Sequence, residues 1–256
     1  MIPNVEMSQV IAETVSEALR VSRSVIAYIT VFILTAVLTL QFGGQAGAWG
    51  HLVSGLALLT ATSALGAAVY RRLLHFPSGA TILSGTRQLF CVGALVWIVI
   101  GILAFIAGLT LVLMSGVLVI ASGYDPSGSD ASDISGSMDA LKASGAIWAL
   151  YAALVAAFAI LAWFLARLSL SGAATITSGK VKVFEAWGLT KGWVAPIMCL
   201  LVLFVGLPLF GTTALVGLLA QQTTQIAATT IGAGLIGLVL LLFFALSASL
   251  FRRLSV

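Results

Sequence analysis

The chain has 256 residues, 61% of them hydrophobic and only 8% charged, and its mean hydropathy is +1.16. Soluble domains carry about 25% charged residues, so this composition excludes a water-soluble globular protein and places the chain in a membrane. A net charge of +4 would suit nucleic acid in a soluble protein. Here the basic residues sit at the ends of apolar runs, and no nucleic-acid partner is expected.

In residues 1–23, Met7, Val10, Ile11, Thr14, Ala18 and Val21 recur at helical spacing, while Glu13, Glu17 and Arg20 fall on another face. That pattern predicts an amphipathic helix lying on the membrane surface. Six apolar runs follow: Ser24–Leu40, Leu52–Tyr70, Leu89–Ala121, Ala146–Leu168, Trp193–Leu219 and Thr229–Phe251. Most approach or exceed the roughly 20 residues needed to cross a hydrocarbon core about 30 Å thick. None shows the period-2 alternation of a membrane β-strand. The expected fold is all-α and polytopic, with six transmembrane helices forming three hairpins. The third run would reach about 50 Å as one helix, so its first turns are expected in the interface.

Orientation follows from the basic residues. Arg20 and Arg23, then Arg71, Arg72 and Arg87, then Arg167, Lys180, Lys182 and Lys191, and finally Arg252 and Arg253 all fall on one side of this alternation. Lys142 alone falls on the other. The positive-inside rule makes the rich side cytoplasmic and puts both termini inside. The outer connection 122–145 carries Asp125, Asp130, Asp133 and Asp139 in a Ser/Gly background and reads as a flexible acidic loop. Trp49 and Trp148 suit outer boundaries; Trp163, Trp187 and Trp193 suit inner ones. Arg20, Arg23, the apolar run after them and Ala46-Gly47-Ala48 imitate a signal peptide, but Glu6, Glu13 and Glu17 in a long leading segment argue against cleavage.

Two connectors resemble each other, as duplication or a convergent use of small residues would produce. Ser78-Gly79-Ala80-Thr81-Ile82-Leu83-Ser84-Gly85 after the second run parallels Ser171-Gly172-Ala173-Ala174-Thr175-Ile176-Thr177-Ser178-Gly179 after the fourth. Each copy follows an arginine (Arg72, Arg167) and leads to a phenylalanine (Phe90, Phe184). Such units would all enter from one side as a parallel repeat, unlike the inverted repeats of many transporters.

Motifs for chemistry are scarce. Gly232-Ala233-Gly234-Leu235-Ile236-Gly237 spells G-x-G-x-x-G, yet it lies inside an apolar run with no acidic residue after it, so close helix packing is its expected role. His51 and His75 fall on opposite sides of the membrane, too far apart for a shared metal. Cys91 and Cys199 read as small buried hydrophobes. Acidic and basic residues are absent from the middle of every run, which removes the usual mark of proton relays and ion paths. Pro196 and Pro208 are expected to kink the fifth helix.

The segment Arg167-Leu168-Ser169 to Ser178-Gly179, continuing through Phe184-Glu185-Ala186-Trp187-Gly188-Leu189-Thr190-Lys191-Gly192-Trp193, resembles a pattern in bacterial six-helix membrane proteins. These are similar to the membrane domain fused to some glycerophosphodiester phosphodiesterases. The resemblance covers about 30 residues and departs from the commoner pattern, which has a proline in the connector where this chain has Ser-Gly-Ala-Ala. It implies a bacterial inner-membrane location and brings no catalytic residues.

The function expected is that of a non-enzymatic accessory, scaffold or assembly subunit without cofactor or metal. Its partners would be the lipid bilayer and a membrane protein or a second copy. Arg71, Arg72, Arg87, Lys180, Lys182 and Lys191 would contact lipid headgroups or a partner, and the aspartate loop would dock one outside. The alternative is a carrier or lipid-handling protein for an uncharged or amphipathic substrate, with a cavity near Pro196 and Pro208.

Overall fold

The computed structural model describes residues 6–42, 47–74, 81–123 and 134–255. In chain order the helices are α1 (Met7–Phe42), α2 (Gly47–Leu73), α3 (Ile82–Ala121), α4 (Ile134–Ala143) and α5 (Ile147–Leu168). Then come α6 (Ser171–Ser178), α7 (Glu185–Leu189), α8 (Val194–Gln222) and α9 (Gln225–Leu254). No strand occurs among the described residues, and six helices are long and apolar enough to cross a membrane. The chain is therefore a multi-pass α-helical membrane protein. All of these spanning helices but α5 overrun their apolar runs, because a backbone already bonded i to i−4 gains nothing by unwinding where hydrocarbon ends.

Two compact units are present: Met1–Val96 with Ala166–Val256, and Trp97–Leu165. In the second unit, Leu141 and Ile147 are the only buried residues among the described ones. Ten residues of the outer acidic connection form α4 rather than the expected loop; Asp139 pairs with Lys142 at 3.3 Å on its exposed surface. Asp125, Asp130 and Asp133 lie outside the described residues.

The first unit is organised around α9, whose most apolar stretch is 56% buried, compared with 17% for α1. Small residues let its neighbours approach, as expected where hydrophobic burial gives little drive between helices. A Cβ at Gly232 would stand 2.8 Å from Val216 Cγ2 on α8, and one at Gly237 would stand 3.4 Å from Phe32 Cδ1 on α1. The G-x-G-x-x-G letters therefore mark helix crossings. On α2, Gly66 makes room for Phe244, whose ring packs edge-on against Tyr70 at 5.5 Å.

Several expectations need correction. The leading segment is not a separate surface helix, because α1 runs unbroken for 36 residues. Val10, Thr14, Ala18 and Val21, read as a lipid-facing stripe, are buried in the protein. An apolar stripe has the same sequence pattern whether lipid or another helix covers it. By itself α3 is one helix of 40 residues. Its start is fixed by Thr81 and Ser84, each side-chain oxygen accepting the other's backbone N–H at 3.2 and 3.1 Å, a reciprocal cap.

The two repeat copies also differ in backbone. Gly85 continues helix α3, whereas Gly179 ends α6 at φ +68°, a left-handed turn that glycine adopts without a Cβ penalty. Ser78, Gly79 and Ala80 lie outside the described residues. Cys91 and Cys199 are exposed rather than buried, as weakly polar residues can be on a membrane helix.

Pro196 does not kink its helix. It lies in the first turn of α8, where the missing N–H has no intrahelical partner to lose. Pro208 does perturb the helix: the turn before it, Val202–Gly206, is π-type, with the Leu207 N–H bonding Val202 O five residues back. The widened turn accommodates a residue that cannot donate to the carbonyl four positions earlier.

If the α2–α9 crossing depends on the missing Cβ, Gly66→Leu should lower the melting temperature by several degrees, on the order of 1–3 kcal/mol of overpacking. Gly55→Leu, where an added Cβ meets nothing within 4 Å, should melt like the parent. Equal melting of the two variants would contradict the described approach.

Candidate functional site

Glu13 and Glu17 are one helical turn apart, so α1 presents both carboxylates on one face. Arg252 and Arg253 close α9. Arg252 is bonded to Glu17 and reaches Glu13 Oε1 at 2.5 Å. Arg253 donates to Glu13 Oε2 through Nε at 2.9 Å and Nη2 at 2.7 Å. Arg252 Nη1 also donates to Leu73 O of α2 at 3.4 Å, so one guanidinium ties three helices. Glu17 is only 9% exposed, and its Oε2 has no hydrogen-bond partner among the described residues. Removing Arg252 would strand the buried Glu17 carboxylate, whereas Glu13, Arg252 and Arg253 are part-exposed and their pairs are screened by salt.

Next to this latch lies a ladder of buried hydroxyls. Tyr70 Oη donates to Ser247 Oγ at 3.0 Å, and Ser247 Oγ donates to Ser169 O at 2.9 Å. Thr14 Oγ1 and Ser249 Oγ lie 3.3 Å apart. Ser249 Oγ donates to Leu246 O of its own helix at 3.1 Å and so accepts from Thr14; the bonds that cross between elements fix the register of α9 against α1, α2 and the α5–α6 junction.

Arg167 holds the connector before α8. Its Nη1 donates to Trp187 O at 2.9 Å and to Thr190 Oγ1 at 3.4 Å, and its guanidinium stands 5.7 Å from the centre of the Trp187 ring. Lys182 N donates to Thr175 Oγ1 at 2.9 Å, and Gln88 Nε2 donates to Gly179 O at 2.8 Å. The Ser-Gly connector is thereby folded into the core, with Ala173, Thr175 and Ile176 buried.

These contacts gather the N-terminal part of α1, the last turns of α2 and α9, the start of α3 and the α6–α7 connector at one end of the unit. The six cationic residues singled out by sequence are divided there. Lys182 pairs with Glu185, and Lys180 and Lys191 are exposed on the connector. Arg87 is exposed on the second turn of α3. Arg71 and Arg72 come together at a cleft of about 270 Å³ lined also by Ser24, Val25, Tyr28, Ala68 and Ile82. A second concavity of about 530 Å³ runs along the π turn, between Met7 and Ile11 on one side and Met198, Val202, Leu203 and Leu207 on the other.

His51 is exposed at the start of α2; His75 lies outside the described residues. Among the described residues no three His, Cys, Asp or Glu gather as a metal-ligand set. The latch went unread in the sequence, although the i, i+4 spacing of Glu13 and Glu17 and the terminal arginine pair were its visible signals.

Arg167→Lys should loosen the connector, because an ammonium cannot reproduce the planar donor fork. A lost bond to a charged donor corresponds to about 1.5–3 kcal/mol, measurable as a lower melting temperature and faster proteolysis after Lys180 or Lys182. Unchanged proteolysis would exclude this role. No protein-family model, no curated protein and no solved structure matches the chain.

Proposed function

We propose that the chain is a non-enzymatic protein of the bacterial inner membrane that serves as an accessory or assembly subunit, with the end rich in arginine in the cytoplasm. The carrying observation is the division of charge at that end. Arg167, Arg252 and Arg253 are bonded within the fold, whereas Arg20, Arg23, Arg71, Arg72 and Arg87 are exposed and form no ion pair among the described residues. Uncompensated cations at helix ends favour anionic lipid and an acidic partner surface, at about 1 kcal/mol per residue near the membrane. Glu13 and Glu17, in contrast, are committed to arginines, a structural arrangement rather than that of an acid or base facing a substrate. This supports a binding role over a catalytic one.

A lipid-handling reading has one observation of its own, the apolar groove along the π turn, since π turns recur at functional sites. Native mass spectrometry of protein extracted from its own membrane separates the readings. The subunit reading predicts a stoichiometric membrane-protein partner that falls at least about ten-fold in an Arg20→Glu, Arg23→Glu, Arg87→Glu variant, as several lost charge contacts imply. A chain without protein partner that moves a labelled amphipath across proteoliposomes would replace it with the lipid-handling reading.

A further inference from the structure

The cleft at the end of α2 combines a cationic mouth with apolar walls. Arg71 and Arg72 supply two guanidinium groups without an ion pair among the described residues. Ile82 at its edge opens α3, a 40-residue helix whose start carries positive partial charge. In that first turn the N–H groups of Ser84 and Gly85 bond Thr81, while those of Ile82 and Leu83 have no intrahelical acceptor. Tyr28 brings a phenolic hydroxyl that has no hydrogen-bond partner among the described residues. Ser24 donates its hydroxyl to Val21 O at 2.8 Å, so it can only accept. Val25, Ala68 and the Ile82 side chain complete the wall with hydrocarbon.

We infer that this cleft binds the phosphate headgroup of a single anionic phospholipid. Arg71 and Arg72 meet the phosphate, helped by the field of the α3 N-terminus, and Tyr28 donates to a headgroup oxygen. The part-exposed Ile82, over a buried floor of Val25 and Ala68, meets the glycerol and the first methylenes of an acyl chain. Guanidinium forks match phosphate oxygens two at a time. A soluble phosphate ester shares that chemistry, but it has no use for the apolar wall. The inference rests on the proposal that this end lies at a membrane–water interface.

The test uses the full-length protein in nanodiscs of equal phosphatidylglycerol and phosphatidylcholine, with retained lipid counted by native mass spectrometry. The parent should retain one phosphatidylglycerol. Arg71→Gln with Arg72→Gln should reduce that retention about ten-fold or more, while Lys180→Gln with Lys191→Gln, an equal charge loss at the same end, should leave it nearly intact. Both pairs are exposed, so melting temperature should be unchanged in each and serves as the folding control. Equal losses in the two variants would overturn the cleft while leaving a diffuse basic face. No preference for phosphatidylglycerol in the parent would overturn both the cleft and the lipid-facing basic end. Binding of glycerol 3-phosphate in pure phosphatidylcholine discs, without phosphatidylglycerol retention, would overturn the lipid as ligand in favour of a soluble phosphate.

Discussion

An arginine pair at the end of a membrane helix can enter a helix bundle only where opposite charge meets it. Glu13 and Glu17 on α1 meet Arg252 and Arg253 on α9, and the remaining contacts of the first unit are arranged about that junction. Because Arg252 also bonds the end of α2, the latch sets the depth of three helices relative to one another. The buried hydroxyls then have little freedom: Ser247 must fall beside Tyr70 and Ser169, and Ser249 beside Thr14. A shift of α9 by one residue would turn Ser247 about 100° away from Tyr70 and Ser169 and leave the Tyr70 hydroxyl unsatisfied in a low-dielectric interior.

The same geometry bears on assembly. Thr14 and Ser249 are 235 positions apart in sequence, so the central contacts join the first helix to the last. Non-local contacts form late because their loop-closure entropy must be met first. Earlier helices cannot complete the core, since α9 carries the most buried surface of any span. Gly66 and Gly232 keep its crossings short, each leaving space already taken by a neighbour's side chain, and Gly237 lies in ordinary contact range of Phe32.

Local pattern made the architecture legible. Hydropathy locates all six spans because a membrane helix must be apolar along its whole length, and the packing role of Gly232, Gly234 and Gly237 follows from their setting in an apolar run. The long-range partners were not legible. Glu13 and Glu17 look like the wet face of a surface helix until Arg252 and Arg253 arrive from the far end of the chain. Ser171–Ser178 looks like a polar connector because its composition is small and hydroxylated, yet those hydroxyls bond backbone carbonyls within the fold. Of the candidate residues, Arg71 and Arg72 were visible by charge alone. That they share a cleft with Tyr28, while Lys180 and Lys191 do not, depends on how α1 crosses α2.

The latch itself is tested by a double-mutant cycle in one membrane mimetic, with Glu17→Gln, Arg252→Gln and their combination followed by reversible unfolding. Coupled partners predict that the double variant is less destabilised than the sum of the single ones, by about 1–3 kcal/mol. Effects that add to within about 0.5 kcal/mol would mean that the two ends of the chain do not hold each other, and the described core would lose its organising contact.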